Sequence, residues 1–203
     1  DGGVVAGVVL AAALFGILSR PIGFLAAFWP ANALLLGLMV RYPRLDAPVG
    51  WTAATLAYVA ADLATGGKLM ITLWLTGANL VFAFVGTTLF KRLEREDRRL
   101  QRPLSMLYLF AISSTAALSA AIAGSGAGRA LFGKPLLDNF GFWFSSELVN
   151  AIVVLPVLLT APRTSFWKRI RKEFHQPEAS PKRGWKWAPP LVAVAVSVVA
   201  GHL

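Results

Sequence analysis

Of the ten acidic residues in the chain, Asp62 and Glu147 are the two that fall inside long apolar stretches. An ionisable group at membrane depth is costly and normally faces a bundle interior or a wet cavity. Three amides, Asn32, Asn79 and Asn150, stand near the middle of neighbouring apolar stretches. A loose pattern links them, an aromatic residue followed by a polar one: Trp29 with Asn32, Trp74 with Asn79, and Trp143 with Glu147 and Asn150. Spacings of three and four put both groups on one helix face, whereas the spacing of five between Trp74 and Asn79 does not. One chemistry that fits is a polar pocket walled by indoles, open to an unidentified small-molecule or membrane signal. The other is an interfacial aromatic belt with interhelical hydrogen bonds, as every membrane bundle has. The belt is the simpler account of the tryptophans; for Asp62 and Glu147 the two readings stand level.

Other chemistries find little to build on. The chain has no Cys, so it can form no disulfide, thiolate metal site or catalytic thiol. Its two histidines, His175 and His202, lie in a basic loop and at the last residue but one. No nucleophile–base–orienter set, catalytic carboxylate pair or metal-ligand cluster can be assembled. No catalytic residue, cofactor or metal is therefore expected in this chain. A net charge of +10 would suggest nucleic acid in a soluble protein. Here the bases cluster in loops beside apolar runs, so topology explains them and nucleic acid is not an expected partner. The run Gly124-Ser125-Gly126-Ala127-Gly128 looks like a phosphate loop only superficially, because it follows an apolar helix rather than a strand.

The elements that must position these residues are set by composition. Of 203 residues, 56% are hydrophobic and 15% charged, with mean hydropathy +0.61; a soluble domain carries roughly 25% charged residues. Residues 69–90 and 103–128 hold no Asp, Glu, Lys, Arg or His. Runs of about 20 apolar residues cross a hydrocarbon core of roughly 30 Å. The expected fold is all-α, one polytopic transmembrane helix bundle over residues 1–203, with the lipid bilayer as its surroundings. Seven helices are predicted, at 2–19, 22–40, 49–64, 69–90, 104–123, 140–161 and 188–203. Arg20-Pro21, the prolines between 41 and 48, Thr65-Gly66-Gly67-Lys68 and Pro103 mark the breaks. Pro30 and Pro156 are expected to interrupt the second and sixth helices, freeing the carbonyls of Ala26 and Ile152. The fifth helix carries Ser113, Ser114, Ala116, Ala117, Ala120 and Ala121, small residues that suit a closely packed central position. Residues 124–139 read as a Gly-rich connection, and 91–102 as a solvated extension of the fourth helix. In 166–174, Phe166, Trp167, Ile170 and Phe174 share a face amid Lys and Arg. That suits a helix lying on an anionic inner leaflet, or equally plain topological charge.

Sixteen of the twenty bases fall in the loops after the second, fourth and sixth helices. Arg20, Lys68, Arg129 and Lys134 fall in the others. By the positive-inside rule the even loops and the N-terminus face the cytoplasm. Asp62 and Glu147 then lie in the outer half of the membrane, with Arg129 or Lys134 as candidate ion-pair partners. The first residues, Asp1-Gly2-Gly3, lack the basic start of a signal peptide. Seven helices leave Leu203 outside, so an eighth, returning helix and a cytoplasmic output domain are expected beyond it. A complete seven-helix protein is the alternative.

Residues 28–41, Phe-Trp-Pro-Ala-Asn-Ala-Leu-Leu-Leu-Gly-Leu-Met-Val-Arg, resemble the signature of the bacterial membrane-associated sensor (MASE) family of the first type. Softer matches follow in order: Leu56-Ala57-Tyr58-Val59-Ala60-Ala61-Asp62-Leu63-Ala64-Thr65-Gly66, then Asn79, Phe142-Trp143 and Leu155-Pro156-Val157-Leu158-Leu159. Together they span roughly residues 24–162. The chain lacks a second Pro and a Gly that many members carry near Ala31 and Asn32, and an Asp-Leu-Gly triplet near Glu147. The resemblance implies an eight-helix sensor in the bacterial inner membrane preceding a cytoplasmic output. Outputs in that family include diguanylate cyclase (GGDEF), phosphodiesterase (EAL) and histidine kinase modules, often with PAS domains between. A diguanylate cyclase, and so cyclic-di-GMP signalling, is the expected output, with a homodimer left open. The family is more distantly similar to vitamin-uptake substrate-binding membrane proteins, which leaves a transporter component as the alternative function.

The native absence of Cys makes the topology directly testable. Cysteines introduced at Arg95 and Lys182 are expected to be shielded from an impermeant thiol reagent in intact cells, and one at Lys134 to label. Labelling of Arg95 and Lys182 from outside would reverse the orientation.

Overall fold

Pro30 and Pro48 each stand in the first turn of a helix, where a residue without an N–H leaves one donor fewer unpaired. The computed structural model describes residues 2–19, 28–133 and 135–161. Among them it forms helices and no strand: α1 Gly2–Ser19, α2 Pro30–Arg41, α3 Pro48–Ala64, α4 Leu69–Lys91, the single turn α5 Arg95–Arg98, α6 Ser105–Phe132 and α7 Leu136–Thr160. The all-helical bundle expected from composition is the fold observed. Predicted helix seven and the basic segment 166–174 lie outside the described residues.

Four helices, α1, α4, α6 and α7, are long and apolar enough to cross a membrane, with mean hydropathy of 1.8–2.2. Only 33–39% of their apolar windows is buried within the bundle, so most of that apolar surface faces outward. Met70 and Leu137 are about four-fifths exposed. Such helices are stable in hydrocarbon, where each pairs its backbone groups within itself.

The short helix α2 sits at the centre. Nine of its twelve residues are buried, and it packs against α1, α4 and α7. Ala31, Leu35 and Met39 join a core with α1 and α3, while Leu36 and Val40 join one with α4, α6 and α7. Two glycines permit the close approach. A Cβ on Gly86 of α4 would come within 2.6 Å of Leu36, and one on Gly37 within 2.5 Å of Leu158 of α7.

Several expected boundaries are corrected. Pro30 begins α2, after a non-helical Trp29 (φ −125°, ψ 73°); residues 22–27 of the expected second helix lie outside the described set. Pro156 lies inside α7, but it does not interrupt the helix, which runs unbroken through it to Thr160. Residues 124–132 are not a loop: α6 runs through them and ends at Gly133, in the left-handed region at φ 64°. Glycine costs about 1 kcal/mol in a helix, and here it makes room for indoles. A Cβ on Gly124 would lie 2.5 Å from the Trp143 ring, and one on Gly126 2.6 Å from Trp74. Nor do residues 91–102 extend the fourth helix. Arg102 pairs with Glu94, Glu96 and Asp97 and folds this segment into a turn; Leu100 adopts φ 54°. Buried Asp97 accepts from Ser105 Oγ at 2.8 Å, at the start of α6. The carboxylates, Glu94 first, hold the Arg102 guanidinium more firmly in its charged form than usual.

The Gly37 contact yields a paired test. Gly37→Leu is expected to cost about 1–3 kcal/mol through overpacking against Leu155 and Leu158. Gly77→Ala, with open space around it, is expected to be neutral or to stabilise by up to about 1 kcal/mol. Thermal unfolding in detergent distinguishes them.

Candidate functional site

The amide of Asn32 uses every hydrogen-bonding position it has. Its Oδ1 accepts from Tyr58 OH at 2.6 Å and from Trp29 Nε1 at 3.2 Å. Its Nδ2 donates to Asn79 Oδ1 at 2.9 Å and to Glu147 Oε1 at 2.6 Å. An indole N–H can only donate, so Trp29 fixes which side of the amide is oxygen. Four helices, α2, α3, α4 and α7, are thereby joined through one fully buried side chain. Trp29 reaches it because Pro30 starts the helix there, three residues before Asn32.

Glu147 lies midway along α7 and is 3% exposed. Its Oε1 accepts from Asn32, while Oε2 has no hydrogen-bond partner among the described residues. The Trp143 indole N–H, one turn earlier, is likewise buried without an acceptor there. Both side chains line a cavity of about 80 Å³ at the end of the bundle where α1 stops and α2 begins. Trp29, Tyr58, Asp62 and Asn79 complete its polar and aromatic wall, with Thr72, Thr76, Phe142 and Ser146 between them.

Asp62 is half-buried and also closes the α3–α4 turn. Its Oδ2 accepts from Thr72 Oγ1, and its backbone carbonyl accepts from Gly67 N at 2.8 Å. Arg129, proposed as a partner from sequence, is exposed at the end of α6, and no ion pair among the described residues reaches Asp62 or Glu147. Lys134 lies outside the described residues.

Of the eight residues singled out by sequence, Trp29, Asp62, Asn79, Trp143 and Glu147 line the cavity, and Asn32 bonds to four of its lining residues, Trp29, Tyr58, Asn79 and Glu147. Trp74 and Asn150 do not line it. Trp74 Nε1 donates to the Ala123 carbonyl at 2.7 Å on the bundle surface, and Asn150 Nδ2 donates to Ser146 O at 2.7 Å within α7. Tyr58 was missed as a site residue. Its signal was its place four residues before Asp62, which puts both on one face of α3. Among the described residues, no group of three His, Cys, Asp or Glu side chains could hold a metal.

At the opposite end, Arg41 ties α2 to α7. Its Nη1 donates to the carbonyls of Leu158 (2.7 Å) and Leu159 (3.1 Å), and its Nη2 to that of Ala161. A cation on the last carbonyls of a helix meets the negative end of its dipole. Because Asn32 meets the middle of α7 and Arg41 its end, the two helices run in the same direction.

Fold and site together define an all-helical membrane bundle with a buried polar junction beside a small cavity. The chain is similar to the probable diguanylate cyclase DgcF of Escherichia coli O157:H7, being 26% identical over 183 residues that cover 87% of this chain and 36% of that relative. The chain thus spans about a third of the length of the curated relative it matches. No family model matches the chain, and no solved structure matches it.

The junction makes a definite prediction. Asn32→Ala leaves the buried Glu147 and Tyr58 short of partners. It is expected to cost about 2–4 kcal/mol, since each unsatisfied buried group costs about 1–3 kcal/mol. Asn32→Asp places a second carboxylate against Glu147 and is expected to be at least as damaging. The thermal midpoint of the membrane-extracted protein measures both, and an unchanged midpoint in both would remove the junction from the account of stability.

Proposed function

We propose that this chain is a membrane-embedded sensory input module of the membrane-associated sensor type, which regulates a diguanylate cyclase output on the cytoplasmic side. The observation that carries this reading is the match itself: 87% of a helical membrane bundle aligns with about a third of a probable diguanylate cyclase, leaving most of that relative for other modules. The setting is a bacterial inner membrane with the N-terminus inside, supported by the sixteen-to-four distribution of bases. In that orientation the cavity opens outward and Arg41 lies at the inner face.

The geometry supplies a route between the two. A signal can shift a bundle only if it binds one arrangement better than another. Glu147 and Asn32 place α7 and α2 at the cavity, and Arg41 holds the last carbonyls of α7 some nine residues further along α2. A change of α7 against α2 at the cavity is thus presented at the inner end.

Expressed from its complete reading frame, the protein is expected to raise cellular cyclic-di-GMP. Arg41→Gln is expected to shift that output by about tenfold or more at unchanged membrane abundance. A hydrogen bond to a charged group is worth about 1.5–3 kcal/mol, and 1.4 kcal/mol is a factor of ten. Output unmoved by Arg41→Gln would remove the α2–α7 link from signalling. A frame with no output module, conferring solute uptake instead, would overturn the sensor reading in favour of a transporter component.

A further inference from the structure

We infer that the cavity between Trp29, Tyr58, Asp62, Trp143 and Glu147 binds a small organic cation, a protonated amine. As an assignment of the signal, the inference rests on the sensory reading above; as a binding site, it stands on the cavity alone.

Charge comes first. Two carboxylates line the cavity, and among the described residues no Lys, Arg or His does. Glu147 is almost wholly buried, yet one of its oxygens has no partner among the described residues while the side chain lines the open space. A buried carboxylate is strongly disfavoured unless a counter-charge or donors complete it. An ammonium group is both at once, with up to three donors for Oε2 and its neighbours.

The walls point to an organic cation rather than an inorganic one. The indoles of Trp29 and Trp143, with Tyr58 and Phe142, line the same space, and aromatic surfaces attract alkylammonium groups through the ring quadrupole. A bare divalent ion wants about six oxygen ligands; at this wall Asp62 Oδ2 already accepts from Thr72, and Asn79 Oδ1 and Glu147 Oε1 from Asn32, while aromatic rings take much of the remaining surface. The Trp143 N–H, without an acceptor among the described residues, adds a donor for an oxygen elsewhere on the ligand. A cavity of about 80 Å³ has the room of two or three waters, which limits the bound group to an ammonium head and a few carbons.

An anion is the competing occupant, because the start of α2 presents the positive end of a helix dipole beside Trp29. That end carries only about half a charge, against two carboxylates at the wall. The balance favours a cation.

The test uses the full chain in lipid nanodiscs, with tryptophan fluorescence as readout. Three probes of nearly equal size differ in charge: propylammonium, 1-propanol and propionate, at fixed ionic strength. The expected result is a saturable response to propylammonium alone, weakened about tenfold or more by Glu147→Gln, as loss of a charge-assisted contact implies. Asp62→Asn, at the half-buried side, keeps its turn contacts and is expected to weaken binding by a smaller factor, which holds the test open if Glu147→Gln fails to fold. Equal responses to propanol or propionate, no saturable response, or propylammonium binding unchanged in every variant that folds would each overturn the inference. The two readings fail separately. Amine binding without any effect on cyclic-di-GMP would leave the site and remove the sensory role. An output still moved by Arg41→Gln, with no amine binding, would leave the sensor and remove the cation.

Discussion

One amide, that of Asn32, fixes the register of four helices. In hydrocarbon a polar side chain has no water to fall back on, so its partners must come from the protein. Asn32 meets that demand completely, with two donors to its oxygen and two acceptors for its nitrogen. Sliding any of α3, α4 or α7 by one turn, about 5.4 Å, would strand Tyr58, Asn79 or Glu147 at membrane depth. Apolar packing alone tolerates such slips, since lipid is as apolar as leucine. The junction therefore supplies specificity that the surrounding Ala, Leu and Val cannot.

The rest of the bundle is arranged to let α2 reach that junction. At twelve residues, about 18 Å, α2 is shorter than the roughly 20 residues a full crossing takes, and its first turn lies inside the bundle. Pro30 removes one of the N–H groups such a buried start would leave unpaired. Gly37 and Gly86 bring α7 and α4 close enough for Asn79 and Glu147 to touch Asn32. Arg41 then closes the far end on the α7 carbonyls.

How much of this was legible depended on whether the cause was local. The membrane class followed from composition, because burying 15% charged residues is not needed when they gather at helix ends. Trp29 with Asn32 followed from a spacing of three. The convergence of Asn32, Asn79 and Glu147 did not, since residues 47 and 115 positions apart meet only through packing. The glycines at 124 and 126 misled for a related reason. Read locally they are helix breakers, yet in the fold each faces an indole from another helix, and tertiary contact overrides their propensity. The turn at 95–98 was hidden in the same way, inside a charge run whose ion pairs fold it back on itself.

The junction also decides the direction in which an occupant of the cavity would act. Asn32 already engages Glu147 Oε1, so a cation at the cavity meets the other oxygen, Oε2, and does not compete with the amide. An ammonium there joins the same network of hydrogen bonds, and bonds in a connected network polarise and strengthen one another. The bond from Asn32 to α7 is strengthened rather than broken. A gain of about 1.4 kcal/mol at that bond shifts a two-state equilibrium tenfold, toward the arrangement in which α2, α3, α4 and α7 are locked together. If a cation binds there, its removal would loosen α7 at its midpoint while Arg41 still holds its end, so α7 would turn about that attachment instead of detaching. The signal would thus travel as a change in the angle of one helix against another, with the α2 rod as the fixed reference.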